Sequence, residues 1–270
     1  MYQKGVVMKT KIHILLPLLL AIIPFGMIHA QRPAQGPISN KIYTPQDLGY
    51  QLVWHDEFNG TQLDTTKWKV RGVGPRAIAW VSPKAVKVED GYLKLFALNE
   101  NDTLFGSAVG TQGLFMSKYG WYECRAQVQK SPAGVWSAFW IQSTDIAKGE
   151  DPAKYGAEID IMECFRKLGP DIVSHNVHWA YGPHQQSTHG YQSYLKELGE
   201  GFHTFALEWF PDKYIFYVDG YRFYEITEGI SNIKEYLILS MEYPGKRGEI
   251  AKSIFPDVFL VDYVRVYQKK

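Results

Sequence analysis

From Leu52 to its end, the chain is a succession of short β-prone runs separated by turns. Runs rich in Val, Ile, Tyr, Phe and Trp alternate with turn residues, and no long stretch holds the 3.6-residue apolar period of a helix. Asp90-Gly91 and Asp219-Gly220 each separate two such runs, and these dipeptides favour tight hairpins because the turn needs positive φ at its centre. About a dozen strands in one domain predict an all-β sandwich of two antiparallel sheets.

The composition narrows the classes of protein that fit this pattern. With 46% hydrophobic and 21% charged residues, the chain is neither disordered nor fibrous. Its 29 basic and 28 acidic residues give a formal charge of +1, which excludes nucleic acid and anionic membrane as electrostatically attracted partners. Residues 191–198, with apolar side chains at intervals of four and three, form the one helical turn that we predict. No internal repeat is present, so residues 46–270 are predicted to form a single domain.

The first 30 residues resemble a secretory signal peptide. Three lysines precede an apolar run over residues 14–28, which contains two prolines and is followed by Ala30. The run is shorter than the roughly 20 residues of a membrane-spanning helix. We therefore predict cleavage near Ala30 and a secreted or periplasmic protein without a membrane partner, with translation starting at Met1 or Met8. Residues 31–45, rich in turn residues, predict a flexible lead-in.

Three carboxylates interrupt the apolar, β-prone run over residues 157–165. Side chains alternate along a strand, so Glu158 and Asp160 share a face, whereas Glu163 lies an odd five places from Glu158 and would point to the opposite face. One extra residue at position 161 or 162 would form a β-bulge and return Glu163 to the face of the other two. The sequence therefore predicts a bulged strand with three acids on one wall.

Crowded carboxylates of this kind suit acid–base chemistry. Each charge opposes ionisation of its neighbours, so one group keeps its proton at a raised pKa while another stays charged. A retaining glycosidase needs such a pair about 5 to 5.5 Å apart, one acting as nucleophile and the other as acid/base.

The run Glu158-Ile-Asp160-Ile-Met-Glu163 resembles the signature of glycoside hydrolase family 16 in its bulged form. Further matching segments follow the family's order: Val53-Trp54-His55-Asp56-Glu57-Phe58, Tyr119 to Arg125, Trp136 to Trp140, Phe202 to Phe205 and Val261 to Tyr267. The resemblance implies a concanavalin A-like jelly roll with a concave cleft. It also implies that Glu158 is the nucleophile, Glu163 the general acid/base and Asp160 the residue that modulates their charge.

The implied activity is that of a secreted, endo-acting, retaining β-glycosidase on a polysaccharide or long glycan, because an open cleft accepts internal segments. Laminarin-degrading members usually carry a glycine after the catalytic strand and an acidic-polar-aromatic run in the first cleft loop. Here Cys164-Phe165-Arg166 and Arg76-Ala-Ile-Ala-Trp80 replace them. Both a β-galactan or other galactose-containing glycan and a β-1,3(1,4)-glucan therefore remain candidate substrates. A non-catalytic carbohydrate-binding module and a transglycosylase are the alternatives, whereas an adhesion protein would show repeats or an anchoring tail.

Strand parity and the family resemblance together predict the residues that line the cleft. Trp136, Trp140 and Gln142 share one face, and indole rings suit the apolar faces of sugars. Asn176 and His178 share a face in the strand that follows the acids. Glu242 has the parity of a residue on the far wall.

Two further predictions have explicit alternatives. Glu123 and Arg125 face away from the apolar side of their strand, and either bind sugar hydroxyls in the cleft or form an exposed cross-strand ion pair. Trp80 is either an outer platform for sugar or an ordinary core residue.

The sequence gives little evidence for a disulfide bond, a metal site or a cofactor. Cys124 and Cys164 fall on the core side of their strands, which favours two buried free thiols over a disulfide. The spacing of His175, His178, His184 and His189 matches no common metal site, so no metal is predicted there. The family resemblance leaves open a structural calcium ion on the side opposite the cleft, either with Asp262 or Glu57 contributing side-chain oxygens or with backbone oxygens supplying most of the shell. No cofactor is required by the predicted chemistry, and a monomer is expected.

Overall fold

The computed structural model describes residues 32–270, which form an almost entirely β domain. The predicted signal peptide lies outside the described residues. The strands, in chain order, are β1 (Gln51–Asp56), β2 (Lys69–Val70), β3 (Gly74–Arg76), β4 (Ala79–Val81), β5 (Val86–Glu89), β6 (Tyr92–Glu100), β7 (Thr103–Gly110), β8 (Gly120–Gln127), β9 (Trp136–Gln142), β10 (Glu158–Glu163), β11 (Ile172–Trp179), β12 (Gln186–Ser187), β13 (Tyr191–Tyr194), β14 (His203–Trp209), β15 (Tyr214–Val218), β16 (Tyr221–Ile226), β17 (Tyr236–Glu242) and β18 (Asp257–Gln268).

In the described part of the chain, helical structure is confined to short segments. One α-helical turn, α1 (Pro152–Tyr155), precedes β10, and Asp151 caps it by accepting a hydrogen bond from Ala153. Three 3₁₀ turns cover Pro83–Ala85, Arg166–Leu168 and Arg247–Ile250. Among residues 32–270, no helix has the length and apolar character needed to span a bilayer.

The strands pair into two main antiparallel sheets, as predicted. The first, which we call the cleft sheet, has the order β13–β11–β10–β9–β17–β7–β2, with β12 also on β11. The second, the back sheet, has the order β16–β15–β14–β8–β18, and β18 then pairs with β1 and β6, which carries β5. The pairing of β6 with β7 joins the two sheets at one edge, where the hairpin of β3 and β4 also lies, with β4 parallel to β7.

One hydrophobic core lies between the sheets. Phe139, Ile159 and Leu239 project into it from the cleft sheet, and Tyr122 and Phe259 from the back sheet. Because side chains alternate, the next residues along β9 and β10 project to the outer face of the cleft sheet. Both cysteines are buried in this core as free thiols, as predicted.

The predicted hairpins are confirmed, and the predicted helical turn is wrong. Asp90 and Asp219 both have positive φ, at 57° and 50°, each followed by a glycine in the same region. Residues 191–194, by contrast, form strand β13, which pairs with β11. The apolar spacing suggested one face of a helix. Tyr191 is apolar for another reason, because it packs edge-on against Tyr224 from strand β13. Within the predicted lead-in, Gln35 and Tyr43 make backbone hydrogen bonds to Gln192 and Gly220, so its described part is tied to the domain.

Candidate active site

The three carboxylates of β10 lie on one face, as the bulge predicted. Asp160 is paired with Trp140 on β9 and with Asn176 on β11, while Glu163 is paired with Ala138 and Ser174. Ile161 is the one residue of β10 that has no partner in either pairing, so it is the extra residue of the bulge. The bulge restores Glu163 to the face of Glu158 and Asp160.

These acids form the floor of an open cleft of about 280 Å³ on the outer face of the cleft sheet. Every strand of the central part of that sheet contributes a side chain to it. The lining residues are Arg71, Arg76, Trp136, Ala138, Trp140, Gln142, Glu158, Asp160, Glu163, His178, Tyr181, Ser240 and Glu242.

Burial and mutual repulsion raise the pKa of two of the acids. Burial chiefly raises the pKa of Asp160 well above its ordinary value, and the negative charges of Glu158 and Glu242 add to the effect. The pKa of Glu163 is also raised well above its usual range, first by burial and then by the charge of Asp160, whereas a hydrogen bond from Trp136 opposes the rise. Burial and crowding therefore favour the protonated forms of both groups beside Glu158.

Glu158 is held by neutral donors. The amide nitrogen of Gln142 donates to its Oε2 at 2.6 Å, and Tyr181 forms a second hydrogen bond to it. The orientation of the amide is fixed because its oxygen accepts from Arg71 at 2.8 Å and from Tyr236 at 2.7 Å. Glu158 is thus presented as an oriented hydrogen-bond acceptor, which is what a carboxylate nucleophile requires.

Both predicted tryptophans line the cleft, in different ways. Trp136 donates from Nε1 to Oε1 of Glu163 at 3.0 Å and lies beside Phe165. Trp140 is only 6% exposed, and the guanidinium of Arg71 lies over its ring, 4.9 Å from the centroid. A sugar ring above Trp140 therefore meets Arg71 and not a bare indole face.

Asn176 and His178 lie on the β11 side of the acids, as predicted. Nδ2 of Asn176 lies 2.9 Å from Nε2 of His178. The same Nε2 of His178 lies 3.5 Å from Oδ2 of Asp160. The amide oxygen of Asn176 accepts hydrogen bonds from Thr188 and Gly190 and so fastens the neighbouring loop. His178 faces the acids directly, whereas Asn176 supports it from the adjoining groove.

An ion pair between Glu242 and Arg76 forms the far wall of the cleft. Glu242 lines the cleft, as predicted, and accepts two hydrogen bonds from Arg76, at 2.7 and 3.0 Å. Trp80, on the same hairpin as Arg76, is 52% exposed, so the interpretation of Trp80 as a core residue is wrong. Its role as an outer platform stays a prediction.

The prediction that Glu123 and Arg125 line the cleft is wrong. The parity argument was correct, but β8 belongs to the back sheet, so both side chains lie on the outer face opposite the cleft. Glu123 accepts hydrogen bonds from Trp121 and Tyr263, while Arg125 forms a cross-strand ion pair with Asp262. Strand parity identifies the side of a sheet and not which of two sheets a strand joins.

The residues suggested as calcium ligands are engaged by arginines. Both carboxylate oxygens of Glu57 accept hydrogen bonds from Arg265, and Oδ2 of Asp262 is paired with Arg125, so a cation would compete with a guanidinium at each carboxylate.

Glu158, Asp160 and His178 each place one potential metal-ligating atom within 4.8 Å of the others. The raised pKa of Asp160 opposes cation binding, because a carboxylate ligand must be deprotonated. His175 and His178 lie three places apart on β11 and so project to opposite faces, which keeps these two histidines from converging.

Sequence reasoning missed two residues that touch the site. Arg71 follows β2, and Tyr181 follows β11 in a loop. Neither lies within a strand, so alternation gives no signal for them; only the folded loops bring them to Gln142 and Glu158.

Comparison with known proteins gives a consistent result. The family model described as "Beta-porphyranase A-D, GH16 domain" matches residues 52–269. A glucan endo-1,3-beta-glucosidase A1 of Niallia circulans is 30% identical over 276 residues, which cover 85% of this chain and 40% of that protein. The chain therefore spans well under half the length of this curated relative.

Two solved structures share this fold over most of the chain. A laminarinase from Flavobacterium sp. UMI-01 superposes with a TM-score of 0.69 at 28% identity, covering 81% of this chain and all of that one (100%). A variant of SCLam, a non-specific endo-β-1,3(4)-glucanase co-crystallised with 1,3-β-D-cellotriosyl-glucose, superposes with a TM-score of 0.70 at 28% identity, covering 87% of this chain and 100% of that one.

Proposed function

The chain belongs to glycoside hydrolase family 16, and from this membership we propose that it is an endo-acting, configuration-retaining β-glycosidase that cleaves internal linkages of a long glycan. One observation carries the proposal: the bulge at Ile161 places Glu158, Asp160 and Glu163 on one face at the floor of an open cleft. Mere binding of a glycan does not require three crowded acids, two of which have a raised pKa.

In the first step, Glu158 attacks the anomeric carbon while Glu163 gives its proton to the departing glycosidic oxygen. The raised pKa of Glu163 extends to higher pH the range over which that proton is available. Gln142 and Tyr181 hold Glu158 in line for attack. The products of this step are a free glycan end and a glycosyl ester on Glu158.

In the second step, Glu163 takes a proton from water, which attacks the anomeric carbon and releases Glu158. Ester formation removes the negative charge of Glu158, one of the charges that raise the pKa of Glu163. The pKa of Glu163 therefore falls once the ester has formed, which favours its action as a base. Asp160 modulates this exchange because its charge acts on Glu163, while burial and the charge of Glu158 raise the pKa of Asp160 itself.

For the substrate we favour a β-galactan of the agar or porphyran type. The matching family model is the porphyranase one, the cleft is lined by Arg71 and Arg76, and Arg76-Ala-Ile-Ala-Trp80 replaces the acidic-polar-aromatic run that is usual in a family laminarinase. Arg76 is neutralised by Glu242, whereas Arg71 contacts neutral groups and has no carboxylate within ion-pair distance among the described residues. The unneutralised guanidinium of Arg71 favours a substrate with an acidic substituent or many hydroxyl acceptors.

A β-1,3(1,4)-glucan is the second candidate, because the Niallia circulans relative and both superposed structures are named for action on β-glucans.

A panel of polymers tests both the activity and the substrate. We expect the protein to release a ladder of oligosaccharides from agarose or porphyran, and little from laminarin, mixed-linkage glucan, keratan or mucin O-glycans. NMR of the first product should show the β-anomer before mutarotation. Release from the glucans alone would replace the first candidate by the second. Binding without release would favour the carbohydrate-binding module, and longer products formed on added acceptors would favour the transglycosylase.

The tryptophan that touches Glu163 gives a pH test of the acid/base assignment. The indole N–H of Trp136 favours the charged form of Glu163, so Trp136→Phe removes a contact that lowers its pKa. Activity that needs protonated Glu163 falls as pH rises through that pKa, so the alkaline limb of kcat/KM should move to higher pH in the variant. Trp80→Phe, on the exposed hairpin, is the matched control. An unmoved or lowered alkaline limb in Trp136→Phe would contradict the assignment.

We also propose that the enzyme is exported and acts as a monomer outside the cytoplasm, on the basis of residues 1–30 and the open cleft. Sequencing the amino terminus of the exported protein tests cleavage near Ala30, and sedimentation tests the oligomeric state.

A further inference from the structure

A buried histidine lies opposite the bulge of the catalytic strand. The pairing of β10 with β11 steps from Asp160↔Asn176 to Glu163↔Ser174, so the single residue His175 opposes both Ile161 and Met162. His175 is fully buried, and its ring packs against Phe216 at 5.0 Å between centroids. It touches none of the three acids in the cleft, because it projects from the inner face of β11.

Both ring nitrogens of His175 are used. Nδ1 lies 2.6 Å from the carbonyl oxygen of Ile161, and Nε2 lies 2.7 Å from the hydroxyl of Ser193. A carbonyl only accepts, so Nδ1 carries the hydrogen. Burial lowers the pKa of His175 to about 4, so the ring is neutral and Nε2 accepts a hydrogen bond from Ser193.

The hydrogen bond from His175 satisfies the carbonyl group of Ile161, the residue that the bulge displaces. Ile161 has no partner in either strand pairing, and a buried carbonyl without a hydrogen bond costs free energy. If β10 paired regularly with β11, no residue would be left unpaired. The register beyond Asp160 would then shift by one residue, and Glu163 would project to the opposite face of the sheet. The imidazole N–H stabilises the bulged register selectively, because it meets the Ile161 carbonyl in that register.

We propose that His175 is a positioning residue that fixes the bulge of the catalytic strand, and thereby sets Glu163 relative to Glu158, by donating Nδ1–H to the carbonyl of Ile161 and accepting from Ser193. The proposal rests on the proposed function for its kinetic consequence, but its hydrogen-bond pattern is independent of any activity.

Nitrogen-15 NMR of the imidazole tests the hydrogen-bond pattern without a substrate. We expect a neutral His175 ring at pH 6 with hydrogen on Nδ1, which is the tautomer less favoured by free imidazole in water. Assignment by comparison with His175→Asn identifies the signal. Hydrogen on Nε2 alone, or a protonated ring at pH 6, would overturn the inference.

Two substitutions then separate the hydrogen bond from the packing. His175→Phe keeps an aromatic ring beside Phe216 and removes both hydrogen bonds, so we expect kcat to fall about 100-fold because misplacement by about 1 Å has that cost. KM should stay within about twofold, since the cleft residues remain. His175→Asn retains an N–H donor near the position of Nδ1 and should recover most of the lost kcat.

His203 provides the matched control. It is a partly buried histidine of the back sheet that also uses both nitrogens, bonded to Asp219 and to the carbonyl of Glu200. His203→Phe should leave kcat near the wild-type value even where it lowers the melting temperature.

The outcomes distinguish this inference from the proposed function. A wild-type protein that cleaves no glycan removes the proposed function, and the NMR result still decides the hydrogen-bond pattern. An active wild type with a folded His175→Phe of unchanged kcat overturns the inference. Where His175→Phe does not fold, His175→Asn decides: kcat close to the wild type supports the inference, and a 100-fold loss, as large as expected for His175→Phe, overturns it.

Discussion

Replacing Glu158 with glutamine is expected to lower kcat by about 10⁴-fold or more, the scale on which enzymes lose activity without their nucleophile. The amide has nearly the shape of the carboxylate and still receives the hydrogen bond from Gln142 on its oxygen. The glutamine amide cannot take the place of the carboxylate in forming a glycosyl ester, so the double displacement stops at its first step. KM should change little, because no cleft side chain is lost. Initial rates on the polymer identified by the panel provide the measurement.

The matched control is Glu123→Gln, which alters a buried carboxylate on the back sheet away from the cleft. It should retain wild-type kcat. Added azide gives a second readout with Glu158→Ala: azide entering the vacated space attacks from the nucleophile's side and yields an α-glycosyl azide. Wild-type activity in Glu158→Gln, or a β-azide from Glu158→Ala, would show that another group is the nucleophile.

Replacing Glu163 with glutamine is expected to lower kcat on a natural polymer by about 10² to 10⁴-fold, the usual contribution of a general acid–base group. Burial and the charge of Asp160 raise the pKa of Glu163, so the wild type loses activity as pH rises through that pKa. The variant has no such ionisation, and the alkaline limb of its kcat/KM profile should disappear. A substrate with a highly activated leaving group needs no proton and should be cleaved by the variant at nearly the wild-type first-step rate.

Azide distinguishes this variant from the previous one. In Glu163→Ala, azide attacks the glycosyl ester on Glu158 without base assistance and yields a β-glycosyl azide. An α-azide, or an alkaline limb that persists in Glu163→Gln, would contradict the assignment of Glu163.

Stability provides the folding control for Glu163→Gln. An acid whose folded pKa lies above its ordinary value of 4.5 stabilises the fold most below that value, and this contribution is lost as pH rises through the folded pKa. Glutamine does not ionise, so the variant's melting temperature relative to the wild type should rise with pH above about 4.5. A loss of activity together with an unchanged or higher melting temperature at neutral pH therefore reports on catalysis and not on folding.

Local sequence was enough for the strands and for the acids. Positive φ at Asp90 and Asp219 follows from turn chemistry that acts within four residues. The bulge was predictable because Glu163 has the wrong parity for its neighbours, and one extra residue is the smallest correction. Whether the displaced residue was Ile161 or Met162 depended on the pairing with β9 as well as β11, which is a tertiary property.

The failures share one physical origin. Glu123 and Arg125 had the right parity on a strand that joins the back sheet, and residues 191–198 had helical spacing although the first four of them form a strand that pairs with β11. Both depend on partners that are distant in sequence, and strand pairing stabilises a segment more than its own propensity does.

By itself, the sequence determined the β class of the chain, its hairpins, the one-sided set of Glu158, Asp160 and Glu163, and the core position of both cysteines. These features follow from alternation, turn conformations and the cost of burying charge, all of which act over a few residues. Only the tertiary structure decided which sheet faces the cleft, that Arg71 and Tyr181 reach the acids from loops, and that His175 satisfies the bulge. Long-range pairing brings these groups together, and no local pattern along the chain records which strands become neighbours.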